Sequence, residues 1–313
     1  MRFLNSKPKT ESARETNARK KALRIRFGLK SLFALLTLIS ILFGCLWNVW
    51  WIPWQHQKAS VELIESRWDL GLEDQGLGDY QYESMDKFPW WKKQLAAWLG
   101  RDSVARVTRV FSENDIGVVD ISTWKGLGSV EYVGFDRATV NDLSVLENFQ
   151  YLKSFNAYQT SSKPGVDPGL GVLGKCKRLE NIKLTSSFKL NDKSFDLICG
   201  ASNIRCLNFE VEDCLRDLKP MARLQKLEEL EIFVGSENGL PDMNFALPSL
   251  RKLNLRFFRG QLPEDWSFLR QMPRLESVEI DASLSKEQRA AIRSSLAAEC
   301  ELLLSSGGIK YQD

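Results

Sequence analysis

Histidine is nearly absent from this 313-residue chain, in which His56 is the single example. A single histidine beside a long apolar segment excludes His-based triads, zinc sites of the H-E-x-x-H type and most acid–base pairs. His56 follows a long apolar segment, and we interpret it as an interfacial polar residue rather than as a ligand. The sequence therefore predicts no catalytic residue and no enzyme activity.

Cysteine is sparse as well, and its spacing does not suit a metal ion. Cys45 lies within the apolar segment, and the other five of the six cysteines form no C-x-x-C pair. The sequence therefore predicts no metal site. We expect those five to be small buried hydrophobic residues. A disulfide between Cys176 and Cys199 stays open as an alternative, because the predicted compartment can be oxidising.

Acidic residues are scarce at one end of the chain, which makes the charge distribution more informative than the net charge of +3. Residues 1–30 hold ten Lys/Arg and two Glu, a net charge of +8, which leaves −5 on everything downstream. An acidic body is unsuited to nucleic acid, whose phosphates need a basic surface. We therefore expect no nucleic-acid partner.

Residues 31–54, "SLFALLTLISILFGCLWNVWWIPW", contain no charged residue. A helix of this length reaches about 36 Å, enough for a hydrocarbon core of about 30 Å. Four tryptophans crowd its far end, where amphipathic rings favour the headgroup zone, and the basic residues precede it. We predict a transmembrane helix whose partner is the lipid bilayer, with the N-terminus cytoplasmic and residues 55–313 extracytoplasmic.

The apolar segment has two alternative interpretations, a cleaved signal peptide and a buried core helix. A signal peptide has a shorter apolar core and a small-residue cleavage site, and the segment has neither. "LFGC" at 42–45 partly matches a lipoprotein cleavage box, but Phe43 fits it badly and the apolar run continues past Cys45. We favour a retained anchor.

A six-residue pattern recurs along the rest of the chain. In "LRKLNL" (250–255), Leu250, Leu253 and Leu255 fit neither a helical stripe nor a long alternating strand. Related hexapeptides begin at 107, 130, 152, 179, 204, 227 and 275, so the steps run from 22 to 27 residues. An acidic residue follows most of them at similar spacing: Asp120, Asp142, Asp192, Asp217, Asp242 and Glu264.

Self-similarity at 20–29 residues with L-x-x-L-x-L is typical of leucine-rich repeats. The sequence resembles that family over about residues 107–304. With its basic head and single anchor, it is similar to the membrane-anchored leucine-rich-repeat proteins of some bacteria. The resemblance implies an α/β leucine-rich-repeat solenoid, with a curved parallel sheet of about eight short strands and a helical or irregular convex side, preceded by one transmembrane helix.

The chain departs from the family pattern three residues after the third apolar position, where Asn or Cys is usual. The residues found there are Ala138, Thr160, Ser187, Glu212, Gly235, Phe258 and Ser283. The coil can therefore be irregular.

Spacing predicts how one unit is built. Leu250, Leu253 and Leu255 face the core, while Lys252 and Asn254 alternate outward. The acidic residue after each hexapeptide should begin a return helix, where a carboxylate accepts backbone N–H groups and suits the helix dipole. Apolar pairs then close the outer side of the core: Leu143 and Leu146, Phe195 and Ile198, Leu218 and Met221, Trp266 and Leu269.

These patterns divide the chain into five segments. They are a basic cytoplasmic head at 1–30, a transmembrane helix at 31–54, a juxtamembrane linker and N-terminal cap at 55–106, leucine-rich repeats at 107–284 and a C-terminal cap at 285–313. Helices are predicted at 58–68, 90–100 and 285–299, with a closing strand at 301–305. The helix at 90–100 either caps the first repeat or lies on the bilayer.

"GLGVLG" at 169–174 matches the G-x-G-x-x-G dinucleotide fingerprint. That fingerprint requires a strand before it and a helix after it, inside a βαβ unit of about 30 residues. Leu170 and Leu173 instead fall where a return segment needs apolar residues. We interpret the motif as a loop and predict no cofactor.

The outward strand positions form the candidate site, on the concave side of the predicted sheet. Aromatic residues there are less expected than charged ones, because exposed aromatics tend to anchor partners. Charged neighbours such as Glu229 and Lys252, or Glu228 and Arg251, are more often solvated ladder pairs between strands. The candidate partner-binding residues are Tyr132, Tyr158, Lys183, Glu210, Glu231, Phe233 and Arg256.

The leading hypothesis is a non-catalytic protein-binding or scaffolding role through the concave face, with a protein partner of unknown identity. A self-associating structural component of the cell envelope is the alternative. No arrangement of residues in the sequence supports an enzyme activity.

Overall fold

The computed structural model describes residues 29–69, 79–99, 105–113, 118–163, 166–185, 188–259, 261–306 and 309–312. The predicted basic head therefore lies outside the described residues, except for its last two positions. Residues 70–78 and 100–104 of the predicted juxtamembrane linker and N-terminal cap lie outside them as well. The chain divides into two compact units, Met1–Trp51 and Ile52–Asp313, which are described separately.

The first unit holds the helix α1 (Leu29–Leu46), followed by one π-helical stretch, Trp47–Trp51. The hydroxyls of Thr37 and Ser40 donate to helix carbonyls four residues earlier, so these polar groups are satisfied within the helix. Such internal pairing suits hydrocarbon, which offers no hydrogen-bond partner. By length and composition, the helical stretch Ser31–Glu62 is apolar enough to cross a membrane.

The second unit is built on one long sheet. Its strands and those of a small side sheet are β1 (Asp79–Tyr82), β2 (Val107–Glu113), β3 (Val118–Val119), β4 (Tyr132–Asp136), β5 (Thr139–Val140), β6 (Ser154–Tyr158), β7 (Asn181–Thr185), β8 (Cys206–Val211), β9 (Glu229–Val234), β10 (Lys252–Phe257), β11 (Ser277–Asp281), β12 (Glu301–Ser306) and β13 (Ile309–Gln312). The long sheet has eleven strands in the order β1-β2-β4-β6-β7-β8-β9-β10-β11-β12-β13, while β3 and β5 pair separately.

The hexapeptide prediction is confirmed. Each of the eight hexapeptides forms a strand, from β2 to β11, and these strands stand side by side in chain order. Neighbours are parallel, as for β9, β10 and β11, whose Glu229, Lys252 and Ser277 are matched in register. Leu250, Leu253 and Leu255 are buried in the core. Alternation along each strand therefore sets one apolar and one polar face.

The return side is mostly 3₁₀-helical. The α-helices of this unit are α2 (Ile52–Asp69), α3 (Trp90–Leu99), α4 (Asp192–Ile198) and α5 (Lys286–Ser295), and the 3₁₀ helices are Met85–Lys87, Ile121–Gly126, Ser144–Asn148, Leu170–Lys175, Lys219–Arg223 and Ser267–Gln271. All four predicted apolar pairs on this side are buried. Short 3₁₀ turns suit connections that must reverse direction within a few residues.

The carboxylates after the hexapeptides make tight turns rather than α-helical caps. Asp120, Asp142, Asp217 and Asp242 each accept the backbone N–H two residues further on. A short acidic or amide side chain stabilises such a turn by bonding its own backbone.

Two of the predicted capping residues were wrong. The side chain of Asn191, not Asp192, caps α4 by accepting from Ser194 N–H. Asp192 instead accepts the N–H groups of Arg216 and Asp217 and so links two repeats. Asp265, not Glu264, accepts from Ser267 N–H, because the shorter side chain reaches a donor two residues away.

α2 covers the beginning of the sheet. Val61 joins the main hydrophobic core, and Ser60 Oγ accepts from Gly126 N–H at 3.2 Å. The Gln57 side chain donates to Ala105 O at 3.0 Å and accepts from Val107 N–H at 3.1 Å, which satisfies buried backbone before β2. β1 then pairs antiparallel with β2.

α3 is present where a helix was predicted. Its Ala96 forms a small cluster with Phe88 and Ala105, while Trp90 is exposed. The side chains of Trp91, Trp98 and Leu99 lie outside the described part of the chain. Its two proposed roles, cap and bilayer contact, stay predictions.

The C-terminal end follows the sequence closely and then adds one strand. Ser285 and Gln288 form a capping box at the start of α5, and β12 pairs parallel with β11. β13 was not predicted. It folds back antiparallel onto β12 and occupies that edge of the sheet.

Candidate functional site

The side of the long sheet that faces away from the core carries three rows of side chains, and we call it the polar face. The first row is Tyr132, Ser154, Asn181, Cys206, Glu229, Lys252 and Ser277; the second is Gly134, Asn156, Lys183, Asn208, Glu231, Asn254 and Glu279. A third row is in two parts, Asp136, Tyr158 and Thr185, then Glu210, Phe233, Arg256 and Asp281. These are the predicted outward positions.

An aromatic hollow of about 360 Å³ lies on the polar face over β2, β4 and β6, with Tyr132 and Tyr158 in its wall. A Cβ atom at Gly134 would come within 2.9 Å of the Tyr132 ring, so glycine lets this ring lie flat against the sheet. Arg109 lies over the Tyr132 ring, 4.8 Å from its centroid, and Asn156 donates to the Tyr132 hydroxyl at 3.4 Å. The two predicted tyrosines therefore share one site.

A polar cluster centred on Glu231 occupies β8, β9 and β10. Glu231 accepts hydrogen bonds from the amides of Asn208 and Asn254, and its carboxylate lies 2.9 Å from Arg256 Nε. Lys183 lines the same shallow hollow of about 220 Å³ as Glu231. The charges of Glu231 and Arg256 are thus largely engaged within the sheet.

Glu229 and Lys252 form the expected ladder pair, with 2.8 Å between Nζ and Oε1. The hydrogen bond from Lys252 lowers the pKa of the Glu229 carboxyl and raises that of the lysine. The other expected pair was Glu228 with Arg251. These two residues form ion pairs with other residues instead: Glu228 pairs with Arg205 at 3.2 Å and Arg251 with Glu276 at 3.5 Å. In the parallel sheet, each charged side chain has a neighbour on the strand at either side. The sequence spacing does not determine which of the two neighbours forms the ion pair.

Phe233 lies on the predicted face, but the expectation that it is an exposed aromatic was wrong. Its exposed fraction is 7%, because the Phe258 ring stacks on it at 5.8 Å and the Arg256 guanidinium lies 5.3 Å from its centroid. Phe258 itself is 63% exposed. The exposed aromatic residue of this region is therefore Phe258. It follows Asn254 and Arg256 of β10 at the same two-residue spacing.

The remaining predicted residues differ in exposure. Tyr158 and Lys183 are exposed, whereas Glu210 is partly buried. Burial, and then the nearby charge of Glu212, raises the pKa of the Glu210 carboxyl. The structure thus groups Tyr132 with Tyr158, and Glu231 with Phe233 and Arg256, while Glu210 lies between these groups.

The same arrangement recurs from repeat to repeat. The hexapeptides lie in parallel register, apolar pairs are buried behind them, and short turns form the return side. The chain is a leucine-rich-repeat solenoid. Searches of family models and of curated proteins found no match for it.

Solved structures similar to this solenoid include two internalins of Listeria monocytogenes. The internalin InlF is 18% identical and matches 69% of this chain and 68% of its own, with a TM-score of 0.45. Internalin C2 is 16% identical and matches 66% of this chain and 83% of its own, with a TM-score of 0.46. The leucine-rich-repeat domain of the type III effector XopL is 14% identical over 71% of this chain and 73% of its own, with a TM-score of 0.39.

The glycine motif has a structural role. Leu170 and Leu173 of "GLGVLG" are buried in the 3₁₀ helix Leu170–Lys175. Of the five solenoid cysteines, Cys176, Cys199 and Cys300 are buried as expected, but the expectation was wrong for Cys206, which is only partly buried, and for Cys214, which is exposed. The Cys176–Cys199 disulfide left open above is not formed; both thiols are free and buried. Burial raises the pKa of Cys176 to about 11 and that of Cys199 to about 12, which keeps both in the unreactive thiol form at neutral pH.

Proposed function

We propose that this protein binds a protein partner through the polar face of its repeat sheet and has no catalytic role. The observation that carries the proposal is the aromatic hollow, in which Tyr158 is 44% exposed. Tyrosine is enriched among the residues that dominate binding energy, because it offers a large rigid contact area. The parallel ladder holds this strip rigid, so that little entropy is lost when a partner docks.

A photo-crosslinker placed in the full chain in intact membranes tests this proposal. At Lys183, exposed on the polar face, we expect an adduct with a distinct protein. At Lys219, exposed on the return side, we expect none. Tyr158→Ala should lower the Lys183 adduct by about tenfold or more, as expected for loss of an anchoring aromatic worth about 2 kcal/mol.

The matched control for Tyr158→Ala is Tyr151→Ala, because Tyr151 is also exposed but packs beside Arg178 rather than on the polar face. It should leave the Lys183 adduct unchanged. Adducts formed with copies of this chain alone would replace the proposal with the self-associating envelope component. Equal adducts at Lys183 and Lys219 would remove the polar face as the binding surface.

We also propose that residues 31–54 anchor the chain, with the N-terminus cytoplasmic and the repeats extracytoplasmic. The basic head before the apolar helix supports this orientation. Protease added outside sealed spheroplasts should digest residues 55–313 and spare the head. Lysed membranes are the control, in which the head should be cut as well. Full protection of the repeats in sealed spheroplasts, with digestion after lysis, would reverse the orientation.

A further inference from the structure

Asp136, the last residue of β4, carries an acceptor without a hydrogen-bond donor. Its Oδ1 atom is buried and accepts no hydrogen bond within the described part of the chain. The Nε atom of Arg137 lies 3.6 Å away, which is an ion contact but too long for a hydrogen bond. A buried carboxylate oxygen in this state is destabilising. The Asp136 side chain as a whole is 38% exposed and lines the hollow, so a bound group has access to its carboxylate.

Tyr158 stands directly beside this carboxylate. Asp136 and Tyr158 are register partners on β4 and β6, and both line the aromatic hollow. Side chains at such positions lie within contact distance of each other. A carboxylate next to an aromatic face is suited to an ammonium or guanidinium group, which pairs with the oxygen and lies over the ring.

The hollow has room for one long side chain. In the second row of the polar face, β4 contributes Gly134, whereas the next three strands contribute Asn156, Lys183 and Asn208. The Tyr132 ring lies over this glycine and, with Tyr158, lines the hollow. Its volume of about 360 Å³ lies near the lower end of the range for small-ligand pockets. The neighbouring Tyr132 ring already accepts the chain's own Arg109 guanidinium at 4.8 Å, so cation–ring contacts are compatible with this geometry.

The backbone fixes both side chains in place at a local cost. Arg137 and Gln159, which directly follow Asp136 and Tyr158, have φ angles of 51° and 47°. Non-glycine residues adopt this left-handed conformation with strain, and such strain clusters at binding sites. Their N–H groups donate to Tyr158 O at 2.8 Å and Thr185 O at 3.0 Å, which joins the end of β4 to that of β6 and the end of β6 to that of β7.

We propose that the aromatic hollow is an anchoring subsite for a lysine or arginine side chain of the protein partner. This inference rests on the proposed function and names the chemistry of its ligand. The cation lies against the Tyr158 ring and pairs with the Asp136 carboxylate. The net charge of −5 on residues 31–313 favours association with a basic partner segment.

Peptides on an array test the subsite with the full chain in nanodiscs of zwitterionic phosphatidylcholine. Each peptide is a random heptamer whose central residue is arginine, lysine, citrulline or norleucine. Citrulline has the shape of arginine without its charge, and norleucine that of lysine. We expect arginine and lysine peptides to be retained about tenfold more than their neutral counterparts, as for a hydrogen bond to a charged group.

The variants Asp136→Asn and Tyr158→Ala separate the carboxylate from the ring. Asp136→Asn keeps the shape of the side chain and should abolish the preference for charged central residues. Tyr158→Ala should lower retention of the charged peptides. Asp281→Asn is the matched control, because Asp281 occupies the same row at the far end of the sheet; it should leave the preference intact.

The outcomes distinguish this inference from the proposed function. Equal retention of arginine and citrulline peptides, or a preference that survives Asp136→Asn, overturns the basic subsite while the Lys183 adduct can persist. Retention of no peptide overturns the subsite as well, and if the Lys183 adduct is also absent the proposed function falls with it.

Discussion

Replacing Phe155 with alanine is expected to lower the free energy of unfolding of the repeat domain by about 3–5 kcal/mol. Phe155 has an exposed fraction of 0% in β6, and its ring meets Phe135 edge-on with 5.9 Å between centroids. Phe135 in turn stacks on Trp124 at 5.6 Å. The three rings join successive repeats, and the parallel ladder on both sides prevents the cavity from collapsing.

Urea unfolding of the detergent-solubilised full chain, followed by far-ultraviolet circular dichroism, measures this loss. Phe258→Ala is the matched control, since Phe258 is 63% exposed and stacks only on the outer face of Phe233. It should cost no more than about 1.5 kcal/mol, the range for one aromatic pair. If the two variants unfold at the same urea concentration, Phe155 does not couple the repeats as described.

Replacing Gly174 with alanine is expected to cost about 3 kcal/mol, at the upper end of the range for overpacking. A Cβ atom at Gly174 would overlap the carbonyl oxygen of Leu197, close to the end of α4. Backbone cannot move aside as a side chain can, so the 3₁₀ helix Leu170–Lys175 and α4 would have to separate. The same urea experiment measures the effect.

Two other glycines provide a graded control. A Cβ at Gly171 meets the side-chain tip of Leu197, which can rotate away, so Gly171→Ala should have an intermediate effect. At Gly128 the nearest atom is Asn148 O at 3.9 Å, and Gly128→Ala should stay within about 0.5 kcal/mol of the unmodified chain. A different ranking of the three variants would contradict the contact between these two return segments.

These glycines also show why a motif needs its surroundings. "GLGVLG" matches a nucleotide fingerprint letter by letter, yet Gly171 and Gly174 are small because α4 of the next repeat packs against them. The buried Leu170 and Leu173 were predictable from the repeat spacing. The contact with Leu197 was not, because it joins two return segments whose packing depends on their tertiary arrangement.

The candidate site likewise has features that the sequence predicted and features that it did not. Alternation along each strand placed Tyr132, Tyr158 and Phe233 on one face, since successive side chains of a strand point to opposite sides. Exposure depends on neighbours from other strands, and so Phe233 is covered by Phe258 and Arg256 while Tyr158 is not. The sequence likewise did not predict that the buried Oδ1 of Asp136 accepts no hydrogen bond among the described residues, because this depends on where its neighbours lie in the structure.

By itself the sequence determined the apolar segment, because residues 31–54 carry no charge over a length that can cross a bilayer. It also determined the parallel strands and their register, because both follow from the periodic burial of leucine-like residues within one short unit. Only the tertiary structure decided which charges pair, which aromatic ring is covered, and that β13 occupies the last edge. Those outcomes depend on contacts between residues distant in sequence, whose competing partners are equally compatible with the local pattern.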